Sequence, residues 1–189
     1  PAEPDHRERI ISGSEVRKML RVLGWSSGKP VRSVAQAVAW CFVAALQTGM
    51  RAGELAGLRW DDVRDDHVLL HAGKTKTGKA RQVPLTPEAA RTLKRMRGYD
   101  EDLVFGLKVQ SLDAMFRKYR ARAGLDGFTF HDSRHTAATR MAQRVDVLDL
   151  CKIFGWTTAT RALVYYNPTG SQIAKRLNGG GSVPTQSPR

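Results

Sequence analysis

Residues 31–58 read VRSVAQAVAWCFVAALQTGMRAGELAGL. The first part, from Val31 to Leu46, is apolar on nearly every helical face, which is typical of a helix at the centre of a core. Gly49 ends that pattern, and a short helix is predicted from Ala52 to Leu58. Arg51 therefore stands at the junction between a buried helix and a short one, where a guanidinium can point into a cleft.

Further helices are predicted on both sides of this stretch from the spacing of apolar residues and from capping signals. They cover Ser12–Leu23, Thr86–Arg97, Ser111–Ala123, His131–Arg144, Val147–Phe154 and Thr158–Tyr166, and a last short helix is expected over Thr169–Leu177. Two β-prone runs, His67–His71 and Ala80–Leu85, flank a polar loop and predict a hairpin or two neighbouring strands. The expected fold class is mainly α with a small antiparallel β-sheet, an α+β domain.

The length of 189 residues suits one domain with a substantial core. We expect residues 1–11 to be an N-terminal linker and residues 12–178 to form the domain. The Gly/Ser/Pro-rich residues 179–189 are expected to be disordered. No signal peptide or apolar membrane-spanning segment is evident, so a protein of the cytoplasm is expected.

The chain is strongly basic, with 31 Lys and Arg against 18 Asp and Glu and a net charge of +13. Such a balance favours a polyanionic partner, and nucleic acid is the first candidate. A membrane surface is disfavoured because neither a basic amphipathic helix nor a lipidation motif is present. Cys41 and Cys151 lie in apolar runs and are expected to be free thiols in a reducing compartment.

Four segments carry side chains suited to phosphate chemistry. Arg51 can bind two phosphate oxygens at once, although a salt bridge to Glu54 is an equally plain use of it. Lys76 lies in a basic turn between the predicted strands, where a lysine can anchor a phosphate or protonate a leaving oxygen. Backbone contacts to nucleic acid are expected from the neighbouring cations Lys74, Lys79 and Arg81; the alternative for this turn is a solvated hairpin tip.

The other two segments lie near the carboxyl end of the chain. His131 and Arg134 are three residues apart and share a helical face. His131 and His135 also have zinc-ligand spacing, but a third ligand is not evident and no metal is expected. Tyr165 follows in a Tyr-Tyr pair, and a phenol with an ordinary pKa of about 10 needs cationic neighbours to attack phosphorus. Packing near a helix end is the alternative role for such a tyrosine.

In this order the segments resemble the tyrosine recombinases of the phage integrase family. The resemblance rests on TGMRAGEL around Arg51, KTGKARQVPL around Lys76, HDSRHTAAT with His131 and Arg134, and Trp156 nine residues before Tyr165. It spans residues 12–177 and depends on several separated motifs, which makes chance agreement far less probable than for one motif. Ser133, where the family usually has an apolar residue, and Trp156, where His is commoner, are departures.

The resemblance implies the catalytic-domain fold of that family and cleavage of DNA by Tyr165 through a 3′-phosphotyrosyl intermediate, without cofactor. Arg51 and Arg134 would stabilise the nonbridging oxygens, Lys76 would protonate the leaving 5′-oxygen, His131 would assist proton transfer, and Trp156 would position the phosphate. Implied partners are double-stranded DNA, three further copies in a tetramer of the full-length protein that exchanges strands through a Holliday junction, and accessory DNA-bending proteins. Because no upstream DNA-binding domain fits in 189 residues and the chain begins with Pro1, an isolated catalytic domain is expected.

Three alternatives remain open at this stage. Tyr166 would replace Tyr165 as nucleophile if the last helix were shifted by one residue. A type IB topoisomerase would share the chemistry but relax supercoils without a partner site. A non-catalytic DNA-binding domain would need only the charge, with Tyr165 as a packing residue.

Overall fold

The computed structural model describes residues 9–74 and 80–178. Its helices are α1 (Gly13–Val22), α2 (Val34–Thr48), α3 (Ala52–Ala56), α4 (Pro87–Lys94), α5 (Val109–Arg122), α6 (Asp132–Met141), α7 (Val147–Phe154), α8 (Ala159–Leu163) and α9 (Gly170–Leu177). Two strands, β1 (His67–Leu70) and β2 (Arg81–Pro84), form an antiparallel pair. The predicted class, mainly α with a small antiparallel sheet, is confirmed.

Helix α2 is the centre of the main hydrophobic core. Its side chains from Ala37 to Leu46 are buried except at Val43, and α3, α4, α5 and α6 pack around it. Ser33 caps the amino end by accepting a hydrogen bond from the Gln36 backbone N–H. Gly49 ends the helix in the left-handed conformation, which a residue without a Cβ adopts at no steric cost. The carboxyl end of α2 therefore lies directly before the segment that carries Arg51.

The strand pair lies at one side of the domain. His67 is opposite Pro84 and Leu70 is opposite Arg81 in the register. Val68 and Leu70 of β1 are buried, as is Val83 of β2, so one face of the pair joins the core. Strand β2 also packs against α7, and this contact brings the hairpin next to the carboxyl-terminal helices.

A second, smaller core joins α6, α7 and α8. Its buried members are Ala137, Ala138, Ala142, Leu150, Phe154 and Ala162. Because α6 also packs against α2, this helix stands between the two cores. Polar side chains on α6 are therefore held in place by packing against both hydrophobic cores of the domain.

One helix end that differs from prediction bears directly on the tyrosines. The last helix before the tyrosines was expected to reach Tyr166, but α8 ends at Leu163 and leaves Tyr165 just beyond it. β-Branched and aromatic residues favour helices weakly, and Pro168 disfavours helical backbone at the residue before it. Ile11, placed in the linker from the sequence, is 1% exposed, and its N–H donates to the Thr136 hydroxyl. Ile11 thus belongs to the main hydrophobic core.

Among the described helices, none combines the length and the apolar character that crossing a membrane requires.

Candidate active site

An open cavity of about 500 Å³ is lined by the start of α3, by α6, by the turn after α7 and by α8 with the residues that follow it. It brings together five of the six residues predicted to be catalytic, which are Arg51, His131, Arg134, Trp156 and Tyr165. The sixth, Lys76, lies outside the described residues, as does Lys79. Residues that are 114 positions apart in the chain, Arg51 and Tyr165, thus line one space.

Arg134 is held by the carboxyl ends of two helices. Its Nη1 donates to the Gly49 carbonyl and its Nη2 to the Phe154 carbonyl, both at 2.6 Å. Helix carboxyl ends carry partial negative charge, so a cation is stabilised there. Burial lowers the pKa of Arg134 to about 9, and the nearby Arg51 acts in the same direction. The guanidinium stays charged at neutral pH and is fixed in orientation before any phosphate arrives.

The two glycines that end α2 and α7 make this arrangement possible. Gly49 and Gly155 have φ angles of +67° and +62°. A Cβ at Gly49 would also lie 2.5 Å from the Phe154 ring, closer than real Cβ contacts come. The ends of α2 and α7 can therefore approach each other closely enough for Arg134 to bridge them.

Glu54 joins two arginines beneath the cavity. The Arg51 backbone N–H and its Nη1 donate to the carboxylate at 2.8 and 2.9 Å. Arg81 binds the same carboxylate through both terminal nitrogens, at 2.8 and 2.7 Å. Burial by itself would raise the pKa of Glu54, but the hydrogen bonds from Arg81 and Arg51 outweigh it and lower the pKa to about 2. The salt bridge considered from the sequence is present, and it leaves Arg51 in the cavity wall.

Arg81 occupies a different place from the one its basic turn suggested. Only 7% of its side chain is exposed, and its Nε donates to the Ile153 carbonyl at the end of α7. The side chain thus connects β2 to Glu54 and to the turn at Gly155 before Trp156. This geometry favours a positioning role over the DNA contact predicted for Arg81.

Lys74 ends a 3-10 helix beyond β1, and its side chain lies outside the described part of the chain.

The residues around Arg134 on α6 explain the unusual Ser133. Ser133 is 1% exposed, and its hydroxyl donates to the Phe130 carbonyl at 2.6 Å. A buried hydroxyl with a partner avoids the cost of an unsatisfied polar group, so a serine is tolerated at this position.

Burial lowers the pKa of His131, and the neighbouring His135 and Arg134 lower it further.

Trp156 places the tyrosine ring by stacking. Its indole lies between Phe154 and Tyr165, with ring centroids 4.7 and 5.3 Å away and a tilt of only 4° to the tyrosine. The Arg134 guanidinium carbon lies 4.7 Å from the centre of the Phe154 ring, within cation–π range. Of the two tyrosines, Tyr165 lines the cavity and Tyr166 is not among its lining residues in the part of the chain that the structure describes.

Two basic residues that line the cavity, His135 and Arg161, were not among the predicted site residues. His135, considered only as a zinc ligand, contacts the Tyr165 hydroxyl through Nδ1. The signal was present, since His135 lies one helical turn after His131 and shares its face. Arg161 on α8 adds a third guanidinium to the cavity wall. Within residues 9–74 and 80–178, no three His, Cys, Asp or Glu side chains are grouped so that they could hold a metal ion.

Proteins described as integrases and recombinases are similar to this chain in sequence. A protein of Haemophilus influenzae described as an integrase/recombinase is 37% identical over 137 residues, which cover 71% of this chain and 45% of that protein. The chain spans about half the length of the curated relatives that it matches first.

Solved structures show the same fold. The catalytic domain of the bacteriophage HP1 integrase has a TM-score of 0.66 at 20% identity, covering 89% of this chain and 93% of that one. A lambda integrase tetramer bound to a Holliday junction has a TM-score of 0.68 at 19% identity, covering 88% and 50%. The sequence pattern of the phage integrase family matches residues 11–171, and this chain belongs to that family.

Proposed function

We propose that this chain is the catalytic domain of a site-specific DNA recombinase and that Tyr165 is its nucleophile. The observation that carries the proposal is the cavity in which the Tyr165 hydroxyl, two arginines that the protein itself orients, and His131 face one space. A phosphodiester is an anion with two nonbridging oxygens, and guanidinium groups match that geometry. Tyrosine attack in such a site gives a covalent protein–DNA bond.

In the proposed cleavage step, Tyr165 Oη bonds to phosphorus and the bond from phosphorus to the 5′-oxygen breaks. The product is a 3′-phosphotyrosyl bond, and the 5′-oxygen leaves as a hydroxyl after taking a proton from Lys76. Because a phosphodiester is exchanged for a phosphodiester, rejoining needs no outside energy source. His131 assists proton transfer, and Trp156 can donate its indole N–H to the phosphate.

Arg51 and Arg134 stabilise the charge that develops on the nonbridging oxygens. Both are oriented by protein groups before substrate binds, so little reorganisation accompanies the reaction. Replacing Arg134 with Lys keeps a charge but loses the planar fork that binds the Gly49 and Phe154 carbonyls. We expect single-turnover cleavage to slow by about 10²–10³-fold in Arg51→Ala or Arg134→Lys. Cleavage at the wild-type rate in either variant would contradict this role.

The direct test is covalent capture of DNA. The chain is incubated with a pool of nicked duplexes whose sequence is randomised around the nick, and complexes that survive denaturation are isolated and sequenced. The most strongly captured duplex then serves as substrate. Peptide mapping of the adduct is expected to place the DNA on Tyr165.

Tyr165→Phe is expected to abolish the adduct, whereas the matched variant Tyr166→Phe is expected to retain it. Loss in the Tyr166 variant alone would move the nucleophile to that residue. If the wild-type chain forms no adduct with any duplex while still binding DNA, the non-catalytic alternative is correct.

We also propose double-stranded DNA as the partner and a tetramer as the acting form of the full-length protein. The net charge of +13 supports the first, and the lambda integrase tetramer on a Holliday junction, which shares this fold, supports the second. A single domain makes fewer phosphate contacts than a longer protein, so this chain should bind DNA weakly, and the affinity should fall further as salt is added. Nanomolar site-specific binding at physiological salt would contradict that expectation.

A further inference from the structure

His135 contacts the atom that would react. It lies on α6, one turn after His131, and its Nδ1 is hydrogen-bonded to the Tyr165 hydroxyl. The two rings are 6.0 Å apart with a tilt of 29°, and both side chains are half-buried. The sequence motifs did not include His135 among the residues expected to act on DNA.

The surroundings of this hydrogen bond are cationic. His131 lines the cavity from the start of α6, with a lowered pKa that favours its neutral form. The cations are three arginines: Arg134 on α6, Arg51 at the start of α3 and Arg161 on α8. Cations placed in this way stabilise the negative charge on a phenolic oxygen that is losing its proton. They do not supply an acceptor for that proton, and a phenol with an ordinary pKa of about 10 needs one to react quickly at neutral pH.

We propose that His135 is the general base that takes the proton from Tyr165, an inference that rests on the function proposed above. In the tautomer protonated on Nε2, Nδ1 accepts the hydrogen bond from the phenol. The proton moves to Nδ1 as Oη bonds to phosphorus, and the bond to the 5′-oxygen breaks while that oxygen is protonated by Lys76. Rejoining reverses these transfers, and the proton on Nδ1 returns to the departing tyrosine.

His135 is better placed for this transfer than His131. The Nδ1 atom of His135 reaches the reacting oxygen, whereas the His131 ring packs edge-on against the His135 ring with centroids 5.0 Å apart. His131 is thus next to the proposed base, where its own protonation state can affect how readily His135 takes a proton. The two histidines are assigned different tasks, which makes them separable by experiment.

The test uses His135→Asn, whose side-chain amide can keep a hydrogen bond near the Nδ1 position but cannot take a proton at neutral pH. With the captured duplex as substrate, we expect single-turnover cleavage to slow by about 10²-fold or more, the usual contribution of a general base. His67→Asn is the matched control, since His67 lies on β1 outside the cavity, and it should cleave at the wild-type rate. Melting temperatures of both variants are measured alongside.

A substrate with sulfur in place of the bridging 5′-oxygen separates base from acid. A thiolate leaves without needing a proton, so this substrate should restore cleavage in a Lys76→Ala variant but not in His135→Asn. Restoration of the His135 variant to the same degree would overturn the assignment, as would unchanged cleavage of the normal substrate.

The pH profile gives a second readout. A base must be unprotonated to act, so wild-type cleavage should decline at acid pH, and this decline should be much weaker in His135→Asn. Should that variant fail to fold, ¹⁵N NMR of the wild-type protein decides instead. Nδ1 of His135 is expected to be unprotonated at pH 7.5, and a protonated Nδ1 would overturn the proposal.

The proposed function and this inference fail in different ways. Absence of any adduct in the wild-type chain would remove the proposed function. A wild-type adduct on Tyr165, together with a fully active His135→Asn, would leave that function intact and remove only the role of His135.

Discussion

Glu54 is predicted to make the stability of this domain sensitive to acid. Its carboxylate is 2% exposed and accepts hydrogen bonds from two arginines. Its pKa is lowered from 4.5 to about 2, and each unit corresponds to about 1.36 kcal/mol, so the ionised carboxylate contributes about 3 kcal/mol to the free energy of unfolding. A depressed folded-state pKa means that this contribution is complete above pH 4.5 and is lost as the pH falls toward 2.

The assay is urea denaturation of the wild type and Glu54→Gln between pH 7 and pH 3. Glu54→Gln should be destabilised by about 3 kcal/mol at pH 7, because both arginines lose their carboxylate. The gap between the two proteins should narrow by about 2 kcal/mol at pH 3, since the wild type by then has lost much of the same interaction. Glu88→Gln is the matched control: Glu88 pairs with Arg91 at the surface, and its removal should leave the pH dependence nearly unchanged. A gap between wild type and Glu54→Gln that stays constant from pH 7 to pH 3 would refute the reasoning.

Three further substitutions test how the site is held. Gly49→Ala should lower the free energy of unfolding by about 2–4 kcal/mol in urea denaturation, because the new Cβ meets the Phe154 ring and the backbone is left-handed. Gly98→Ala is the control: its backbone is also left-handed but its surroundings are open, so it should cost only about 1–2 kcal/mol. Equal losses in the two variants would contradict the clash at Gly49. Arg81→Lys should slow adduct formation at least tenfold, because a lysine cannot bind Glu54 through two nitrogens. The control Arg117→Lys changes an exposed arginine and should form the adduct at the wild-type rate. Wild-type adduct formation in Arg81→Lys would argue against the positioning role of Arg81. Ser133→Ala should cost about 1 kcal/mol in the same denaturation assay because one buried hydrogen bond is lost; a loss above 3 kcal/mol would show that the hydroxyl does more.

Local signals predicted the helices well. Ser12 and Glu15 have capping-box spacing in the sequence, and both hydrogen bonds of that box are present at the start of α1. The α7 boundaries agree with prediction because Asp146 and Gly155 supply a cap at each end. Signals of this kind act within a few residues, so they can be read along the chain. The end of α8 was missed because the residues after Leu163 carry no such stop signal before Pro168.

For the candidate site, too, the sequence predicted some features and the tertiary structure decided the others. The sequence by itself determined the fold class and the ordered set of Arg51, His131, Arg134, Trp156 and Tyr165, because these residues stand in motifs with their own spacing. Only the tertiary structure decided what each side chain touches.

Contacts between distant parts of the chain account for that difference. Arg134 reaches Gly49 across 85 residues, Arg81 reaches Glu54 across 27, and His135 reaches Tyr165 across 30. In a basic turn Arg81 looked like a DNA contact, and it is buried because the packing of β2 on α7 carries it toward Glu54. Which hydrogen bonds such side chains form depends on how the helices pack against one another, and that arrangement is set by the whole core.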